Sequence, residues 1–448
     1  MRSVQARGKG SAGLPERARE AEEAGLGGGE RFDWAEPVVW TERMLATLEQ
    51  GVEGGRWFSL MDKVYAERTL RVAWERVRRK GGSAGVDRQS VEGFSARAEQ
   101  NLKGIGEALR SGRYRPESVR RVWIPKAGGS GERPLGIPTV RDRVVQTALK
   151  LVLEPIFEAG FAEGSYGFRP KRGCKKALRR VQELLEGGAT WVVDVDLKSY
   201  FESIPRDQLL KEVEMRVADG SVLKLVASYL EQGVLEGLKS WQPEAGTPQG
   251  AVISPLLANI YLDPLDKWMA GRGYRMVRYA DDMVVLCTTE WEARQALEEL
   301  ARWVTAKGLE LHPEKTRVVD ARERGGFDFL GYHFERGKRW PSKRSEAKLK
   351  SAIRTKTRRT SGESLSVIIE GVNRVTRGWF GYFKHSVRGA FPRLDSWIRM
   401  RIRSILRRRS GRRGRGRGRD HQRWPNAYFT EQGLFTFVTA RALASRSR

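Results

Sequence analysis

Short apolar runs in the middle of the chain end at acidic residues. Met276–Ala280 and Met283–Cys287 are predominantly apolar, and Asp281 and Asp282 separate them. Apolar runs of this length between polar residues are typical of buried strands. We therefore predict two strands joined by a hairpin turn, with both aspartates at its tip.

A third run of the same kind also ends at an acid. The segment 191–196 reads Trp-Val-Val-Asp-Val-Asp, which predicts a buried strand with Asp196 at its carboxyl end. Asp194 lies two residues earlier, and because side chains alternate between the faces of a strand, both acids share one face. The sequence thus predicts a sheet with acids at its strand ends.

Helical periodicity surrounds these strands. Apolar residues recur at helical spacing from Trp40 to Arg79 and again from Trp291 to Lys307. Beyond Glu346 the pattern changes to basic amphipathic helices, which we predict over 349–359, 364–383 and 391–408.

Two adjacent anions at a turn need a chemical explanation. A hairpin turn accepts aspartate, but neighbouring carboxylates repel and raise each other's pKa unless a cation neutralises them. Mg²⁺ is the obvious cation, and two ions held by carboxylates are the recurrent machinery of phosphoryl transfer. From the residues alone, two interpretations stay open. Asp196, Asp281 and Asp282 form a two-metal site, or they are turn and strand-end residues that face water.

The charge of the chain indicates a polyanionic partner. Its 448 residues include 83 Lys+Arg and 55 Asp+Glu, which give a formal net charge of +28 and a pI near 10.4. Such an excess is typical of proteins that bind nucleic acid. With 40% hydrophobic residues and 14 Trp, the chain can still bury a large core. Cys174 and Cys287 lie far apart, which supports neither a disulfide framework nor a cysteine zinc site.

The hydropathy of the chain and of its N-terminus indicates where in the cell the protein is expected. No stretch has the length of a spanning helix, and the N-terminus lacks the apolar core of a secretion signal. We expect a cytoplasmic protein without a membrane partner. Residues 1–39 read as flexible, and the arginine run within 402–423, interspersed with glycine, is expected to be flexible until it binds nucleic acid.

Several single residues have a plain structural interpretation beside a functional one. Lys126 and Arg133 flank a glycine-rich turn between two predicted strands, where they can meet a triphosphate or simply face solvent. Gln249 lies in a turn before an amphipathic helix, and Lys315 follows a helix as an ordinary surface lysine would. Phe201, five residues past Asp196, is equally consistent with a core position.

The segment Tyr279-Ala280-Asp281-Asp282 resembles the YxDD signature of reverse transcriptases. Other segments resemble further blocks of that family in the same order. From about Trp40 to Phe383 the sequence is similar to the reverse transcriptase/maturase proteins encoded in bacterial group II introns. The resemblance implies an α+β right-hand polymerase with fingers, a palm with an antiparallel sheet, and a helical thumb.

The resemblance also implies roles for the candidate residues. Asp196 and Asp281 would bind two Mg²⁺ ions, Asp282 would support the site as an outer ligand, and Lys315 would protonate the leaving pyrophosphate. Nucleotide binding falls on Lys126, Arg133, Gln249 and Phe201, the last as a steric gate against a 2′-hydroxyl. The primer grip falls on Phe329, Leu330 and Gly331, within a hairpin whose aromatic residues can equally fill the core. Arg169 is a looser candidate for a phosphate contact.

The same resemblance divides the chain into regions. We expect a flexible segment at 1–39, an N-terminal extension and fingers at 40–190, a palm at 191–345, and a thumb or maturase domain X at 346–410. The basic segment 411–448 is a possible DNA-binding region. The paired cysteines of the HNH endonuclease found in many family members are missing, so we expect no such domain.

The implied function is RNA-directed DNA synthesis together with binding of a host intron RNA to promote splicing and mobility. The implied partners are group II intron RNA, an RNA template with a DNA primer, a DNA target and dNTPs. The resemblance also implies a bacterial protein that is associated with the nucleoid or a ribonucleoprotein. Two alternatives stay open. One is a reverse transcriptase of a defence or diversity-generating system, and the other is a splicing maturase that binds RNA without polymerase activity.

Overall fold

The computed structural model describes residues 31–125, 131–237, 239–243, 245–247 and 250–446. Lys126 and Gln249, two of the predicted nucleotide-binding residues, lie outside the described residues, and so does most of segment 1–39. Among the described helices, none combines the length and apolar character needed to cross a lipid bilayer.

Helices form both ends of the described chain, and the strands lie between Val119 and Pro341. The strands are β1 (Val119–Pro125), β2 (Glu132–Ile137), β3 (Trp191–Asp196), β4 (Val234–Glu236), β5 (Lys239–Trp241), β6 (Arg275–Tyr279), β7 (Asp282–Cys287), β8 (Arg317–Asp320), β9 (Phe327–Phe329), β10 (Tyr332–Glu335) and β11 (Lys338–Pro341). The helices up to β6 are α1 (Glu42–Gln50), α2 (Met61–Tyr65), α3 (Glu67–Lys80), α4 (Val91–Ser95), α5 (Ala98–Arg110), α6 (Val140–Glu158), α7 (Cys174–Glu186), α8 (Tyr200–Ser203), α9 (Arg206–Glu214), α10 (Gly220–Leu230) and α11 (Ser254–Gly271). The later helices are α12 (Glu290–Ala306), α13 (Lys343–Lys356), α14 (Leu365–Phe383), α15 (Pro392–Arg409), α16 (Asp420–Arg423), α17 (Asn426–Glu431) and α18 (Phe437–Arg446). Short 3₁₀ helices cover Glu53–Gly55 and Arg388–Ala390.

The central sheet has the order β6-β7-β3-β8, and all its neighbouring strands are antiparallel. Its buried side chains alternate between two cores. Val192 and Val284 pack with α7 on one face, whereas Val193 and Val285 join α11 and α12 on the other. Because side chains alternate along a strand, near-continuous apolar runs are what a sheet covered on both faces requires. Cys287 is a buried core residue, as its strand position predicts.

A second sheet has the order β2-β1-β4-β5, and it combines two strands that precede β3 in the chain with two that follow it. The antiparallel β1–β2 hairpin confirms the predicted strand–turn–strand segment, with Ile124 opposite Arg133. The parallel pairing of β1 with β4 brings residues from far along the chain to this sheet. Helices α3 and α5 pack near it around α6, and the indole Nε1 of Trp40 donates to the carbonyl of Leu151 at 3.0 Å.

The C-terminal helices form a third core that contacts a separate three-stranded sheet, of order β11-β10-β9, through aromatic side chains. Ile353, Ile398 and Ile402 are buried there together with Phe429 and Phe437. Trp379 contacts Phe437 at 5.2 Å and Phe383 at 4.5 Å between ring centroids, and Phe383 in turn contacts Tyr332 of β10 at 4.8 Å. Trp379 and Phe383 therefore join the helical region to the β9–β11 sheet, in addition to packing within the helices.

The structure differs from the expectation that the arginine run is flexible. Arg403 is buried, and its guanidinium donates to Trp424 O at 2.8 Å and to Asn426 Oδ1 at 2.7 Å. The Arg407 guanidinium lies 2.6 Å from the buried carboxylate of Asp420. Gly416 packs so closely on Arg403 that a Cβ would overlap it. The glycines here permit close packing against α15, which composition alone did not indicate.

We predict that two glycine substitutions change stability in opposite directions. A Cβ on Gly167 would overlap the backbone of Ala280, so Gly167→Ala should lower the free energy of unfolding by about 1–3 kcal/mol. Gly381, inside α14, has open space around its Cβ position, so Gly381→Ala should raise stability by about 0.5–1 kcal/mol. Urea unfolding of both variants checks this, and equal effects would contradict the close approach at Gly167.

Candidate active site

The turn between β6 and β7 places the acids. Tyr279 pairs with Asp282, so Ala280 and Asp281 alone form the turn, and Ala280 has φ +60°. A positive φ at the first central position is what a two-residue hairpin of type II′ requires. Asp281 is therefore the tip, and Asp282 begins β7 instead of sharing the tip as the sequence analysis expected.

Strand register brings the third acid to the same place. Asp196, the last residue of β3, lies directly opposite Asp282 in the antiparallel β3–β7 pair. Asp194 lies opposite Val284 and forms an ion pair with Arg317 of β8, with 3.6 Å between Nε and Oδ2. The structure thus collects Asp194, Asp196, Asp281 and Asp282 at one end of the central sheet.

The electrostatics of this acid cluster disfavour full ionisation. Burial raises the pKa of Asp282 to about 7, and the carboxylates of Asp194 and Asp281 add to that shift by repulsion. Burial likewise raises the pKa of Asp194 to about 6, which Arg317 partly opposes. The pKa of Asp281 is also raised by burial, with Asp196 contributing. A bound cation would reverse all three shifts because it stabilises the charged carboxylates.

Lys315 provides a cation beside the cluster. Its Nζ lies 2.7 Å from Asp196 Oδ2, and its side chain is 57% exposed. The loop before it is tied to the same residue, because His312 N donates to the Asp196 carbonyl at 2.8 Å. Contacts with Asp196 at the end of β3 therefore hold Lys315 beside the acid cluster.

The donor set of the cluster fits a hard divalent ion. Mg²⁺ prefers carboxylate oxygens, and the cluster offers carboxylates that repel one another in the absence of a cation. Within the part of the chain that the structure describes, however, no three His, Cys, Asp or Glu side chains converge closely enough to form a ready-made metal cage. Mg²⁺ commonly retains waters and substrate oxygens as ligands, so an open carboxylate set suits it.

A buried ion pair stabilises the β6–β7 hairpin. The Arg278 guanidinium donates to Asp266 at 2.8 Å and to Asn259 Oδ1 at 3.0 Å, and Arg278 and Asp266 are almost completely buried. The same guanidinium donates to the turn carbonyl of Ala280 at 2.9 Å. These residues were missed by the sequence analysis. Their signal is a charged or polar residue inside an apolar strand or helix, which seldom occurs without a partner.

The segment 162–169 closes the other side of the hairpin. Arg278 N donates to Gly164 O and Tyr166 N to Arg278 O, each at 2.8 Å, so this segment lies along β6. Arg169 is buried, and its guanidinium is held by the Glu158 carboxylate at 2.7 Å and by the Ser165 carbonyl at 2.8 Å. The suggestion that Arg169 contacts a phosphate is therefore wrong, because its donors hold the fold together.

The predicted primer-grip hairpin touches the acid cluster through its backbone. Phe329 is buried in the core, whereas Leu330 and Gly331 form the β9–β10 turn with φ +48° and +82°. The Leu330 N–H donates to the carboxylate of Asp282. The carbonyl of Leu330 accepts from the hydroxyl of Tyr382 at 2.8 Å, which ties the turn to α14. The aromatic side chains of the hairpin therefore fill the core, and the backbone of its turn makes the contacts with the acid cluster and α14.

The remaining nucleotide-binding candidates lie on separate elements. Arg133 is on β2, and in the described part of the chain it has no ion pair. Phe201 is half-buried in α8, and its carbonyl accepts from Thr247 N at 2.7 Å. That bond joins the segment after Asp196 to the loop leading to Gln249.

Comparison with known families agrees with this arrangement. Residues 124–334 match the family of reverse transcriptases (RNA-dependent DNA polymerases), and residues 347–424 match the maturase-specific domain of group II introns. The first match covers the acid cluster and the β9–β10 hairpin. The second covers most of the C-terminal helices. The fold is accordingly the predicted α+β right-hand polymerase.

Individual proteins are similar to this chain in sequence. Group II intron-encoded protein LtrA of Lactococcus lactis is 40% identical over 191 residues, which is 42% of this chain and 31% of LtrA. The putative COX1/OXI3 intron 1 protein of Saccharomyces cerevisiae is 25% identical over 399 residues, which is 75% of this chain and 47% of that protein. The chain thus spans about a third of LtrA and about half of the yeast protein.

Protein YkfC of Escherichia coli is similar over most of its own length. It is 32% identical over 324 residues, which is 64% of this chain and 84% of YkfC. With that coverage and both domain matches, the chain belongs to the group II intron-encoded reverse transcriptase/maturase family.

Proposed function

We propose that this protein is an RNA-directed DNA polymerase that also binds its host group II intron RNA to promote splicing and mobility. The observation that carries the proposal is the register of the central sheet, which sets Asp196 opposite Asp282 and beside the tip residue Asp281. Residues 40–190 would serve as N-terminal extension and fingers, 191–345 as palm and 346–410 as thumb. The basic segment 411–448 would assist in DNA binding.

In the proposed reaction the primer 3′-hydroxyl oxygen attacks the α-phosphorus of a dNTP. A P–O bond forms to the primer, the bond between the α-phosphorus and its bridging oxygen breaks, the hydroxyl proton passes to water, and pyrophosphate leaves. Two Mg²⁺ ions would be held by Asp196 and Asp281, with Asp282 as an outer ligand. When bound, such ions lower the pKa of the attacking hydroxyl and stabilise charge on the phosphoryl oxygens.

The chain's own residues would orient and protonate the reactants. Lys315 Nζ, held beside Asp196, would supply a proton to the leaving pyrophosphate, a contribution of about 10²–10⁴-fold. Arg133 and Lys126 would bind the triphosphate, and Gln249 would contact the nascent base pair. Phe201 would exclude a 2′-hydroxyl, and the turn of Leu330 and Gly331 would hold the primer end.

The proposed maturase role needs binding without catalysis by the protein. It is supported by the match of residues 347–424 to the maturase-specific domain and by the excess of Lys and Arg over Asp and Glu. Arginines that neutralise phosphates release counterions, so binding of intron RNA would weaken steeply with salt.

We predict that Asp281→Asn lowers primer extension on an RNA template by about 10³-fold or more, because it removes charge where transition-state charge is compensated. Binding of intron RNA should stay within about twofold of wild type. The matched control is Asp320→Asn, which changes a carboxylate at the opposite end of the same sheet, where it pairs with Arg322. Equal extension by Asp281→Asn and wild type would refute the site.

We also predict a pH-dependent stability that originates in the acid cluster. Asp282 has a pKa of about 7 in the folded protein and an ordinary, lower pKa when unfolded, so the folded state binds more protons. Its contribution to stability is present below about pH 4 and is lost as the pH rises through about 7. Without metal, the melting temperature should therefore fall between pH 5 and 8, and Asp282→Asn should flatten that fall.

Adding Mg²⁺ at pH 8 should raise the melting temperature of wild type more than that of Asp282→Asn, because the ion compensates the ionised carboxylates. Thermal unfolding with and without EDTA measures both effects. Identical slopes and identical Mg²⁺ responses would contradict the role of Asp282.

We predict that Phe201→Ala admits ribonucleotides. Removing the ring opens the space beside the sugar C2′, so rNTP incorporation relative to dNTP should rise by about 10²-fold, which is the discrimination that a steric contact can provide. Single-nucleotide extension with matched dNTP and rNTP measures the ratio. The control is Tyr200→Phe, which changes the adjacent buried residue. An unchanged ratio in Phe201→Ala would show that Phe201 is not the steric gate.

A further inference from the structure

The sheet β2-β1-β4-β5 has two faces with different chemistry. Residues directly opposite each other in a sheet share a face, and successive residues alternate. Arg133 lies opposite Ile124, whereas Trp123 lies opposite Pro134. Trp123 and the proposed triphosphate ligand Arg133 therefore point to opposite faces of the sheet. We refer to the face that carries Trp123 as the rear face.

Aromatic and arginine side chains are exposed together on the rear face. Trp123 and Trp241 are 46% and 36% exposed, and Arg121 lies between them, 4.7 Å from the ring centroid of Trp241 and 5.8 Å from that of Trp123. The indole of Trp123 is fixed by a 2.5 Å hydrogen bond from Nε1 to Glu236. Large exposed aromatics that are held rigidly are unusual unless they meet a partner.

A cavity of about 280 Å³ lies beside these side chains on the same face. Val119, Gly136 and Val234 belong to its sheet side, and Arg206, Gln232 and Thr247 line it elsewhere. Arg121 also lines the cavity, so the exposed aromatics and the cavity are continuous. Small-molecule sites commonly measure about 300–1,000 Å³, so this cavity suits a single base rather than a larger group.

Two residues that line the cavity each have a buried polar atom that makes no hydrogen bond within the described part of the chain. Gln232 and Thr247 are 4% and 3% exposed, and in the described part of the chain Gln232 Oε1 and Thr247 Oγ1 make no hydrogen bond. The amide nitrogen of Gln232 donates to the Glu117 carbonyl and to Asp142, so the amide orientation is set by these two bonds and the oxygen is the atom without a partner. Buried polar atoms are nearly always satisfied, so this pair indicates that a polar ligand completes the site.

The charges define the kind of ligand. Arg206 is half-buried, and its hydrogen bonds within the described part of the chain are long, 3.4 Å to Gly246 O and 3.5 Å to Ala245 O. Two arginines and one acid, Glu202, line the cavity, so its side chains carry a net positive charge that favours an anion. The guanidinium groups of Arg121 and Arg206 can each donate two hydrogen bonds to a phosphate. The indoles provide a surface on which a base can stack. Gln232 offers an acceptor and Thr247 a hydroxyl to the polar edge of that base.

We infer that the rear face binds an unpaired nucleotide of a single-stranded RNA. Its base stacks on Trp241 or Trp123, or inserts toward Gln232 and Thr247. Its phosphate binds Arg121 and Arg206. The site is separate from the proposed dNTP site, because it lies on the opposite face from Arg133. The inference rests on the proposed RNA binding of the protein, but not on its polymerase activity.

Backbone hydrogen bonds connect this site to the segment that carries Phe201, so a bound nucleotide would affect the active site. Thr247 N donates to Phe201 O at 2.7 Å, and Gly246 N donates to Ile204 O at 3.0 Å. A nucleotide held by Thr247 would therefore stabilise the loop that packs on the proposed steric-gate segment. The rear face thereby links a bound RNA strand to the geometry of that segment.

The test is binding of a short fluorescein-labelled single-stranded RNA to the full chain, measured by fluorescence anisotropy. The double variant Trp123→Ala/Trp241→Ala should bind about tenfold more weakly than wild type, since stacking on aromatic side chains contributes this much per base or more. Trp291→Ala, which removes an indole that is 73% exposed on α12, should bind as wild type does. Equal affinity of the double variant and wild type would overturn the inference.

A second variant tests the cavity without changing the exposed surface. Thr247→Val keeps the shape of the side chain and removes its unpartnered hydroxyl, so it should weaken RNA binding about threefold to tenfold without lowering the melting temperature. Unchanged RNA affinity in Thr247→Val would exclude the cavity from the site. Adenosine monophosphate should displace the labelled RNA only at a much higher concentration than unlabelled RNA does, because it lacks the neighbouring phosphates of a strand. Equal potency of the two competitors would overturn the RNA strand as the ligand in favour of a free nucleotide.

The outcomes separate this inference from the proposed function. If wild type fails to bind RNA, both fail. If wild type binds and extends a primer while the variants bind RNA equally well, the rear face alone is refuted.

Discussion

The buried ion pair of Arg278 and Asp266 is the interaction on which the candidate site depends. Burial raises the pKa of Asp266, and the guanidinium opposes that shift by pairing with the carboxylate. Breaking such a pair by removing one partner costs about 3–5 kcal/mol, because an uncompensated charge stays buried. Arg278 also donates to the Ala280 carbonyl, so the energy of the pair fixes a turn that has φ +60° and carries an acid at its tip.

That support is needed because the acid cluster itself opposes folding. Carboxylates at adjoining strand ends repel, and burial strengthens the repulsion by lowering the local dielectric. The hairpin is therefore held by three contacts: Asp266 of α11 pairs with Arg278 of β6, segment 162–169 lies along β6, and the Leu330 N–H donates to Asp282. A scaffold that keeps repelling acids together is useful only if a cation joins them, which is the physical reason for reading the site as a metal site.

The sequence predicted those features that follow from period and local chemistry. The strands around Asp281 and Asp282, the strand ending at Asp196 and the C-terminal amphipathic helices were all visible as runs and repeats. Register across the sheet was not visible, because pairing of Asp196 with Asp282 depends on contacts between residues far apart in the chain. The roles of Arg169 and of Arg403 were missed for the same reason, since an arginine's partner decides whether it faces solvent or the core.

The central claim is that Asp196 and Asp281 jointly hold two divalent ions beside the primer end. Anomalous diffraction from crystals of the protein with primer–template, an incoming dNTP and Mn²⁺ tests it most directly. The account predicts two anomalous peaks roughly 3.5–4 Å apart, both within coordination distance of Asp196 and Asp281. A single peak, or peaks bound elsewhere while those two carboxylates remain paired only with Lys315 or water, would contradict it.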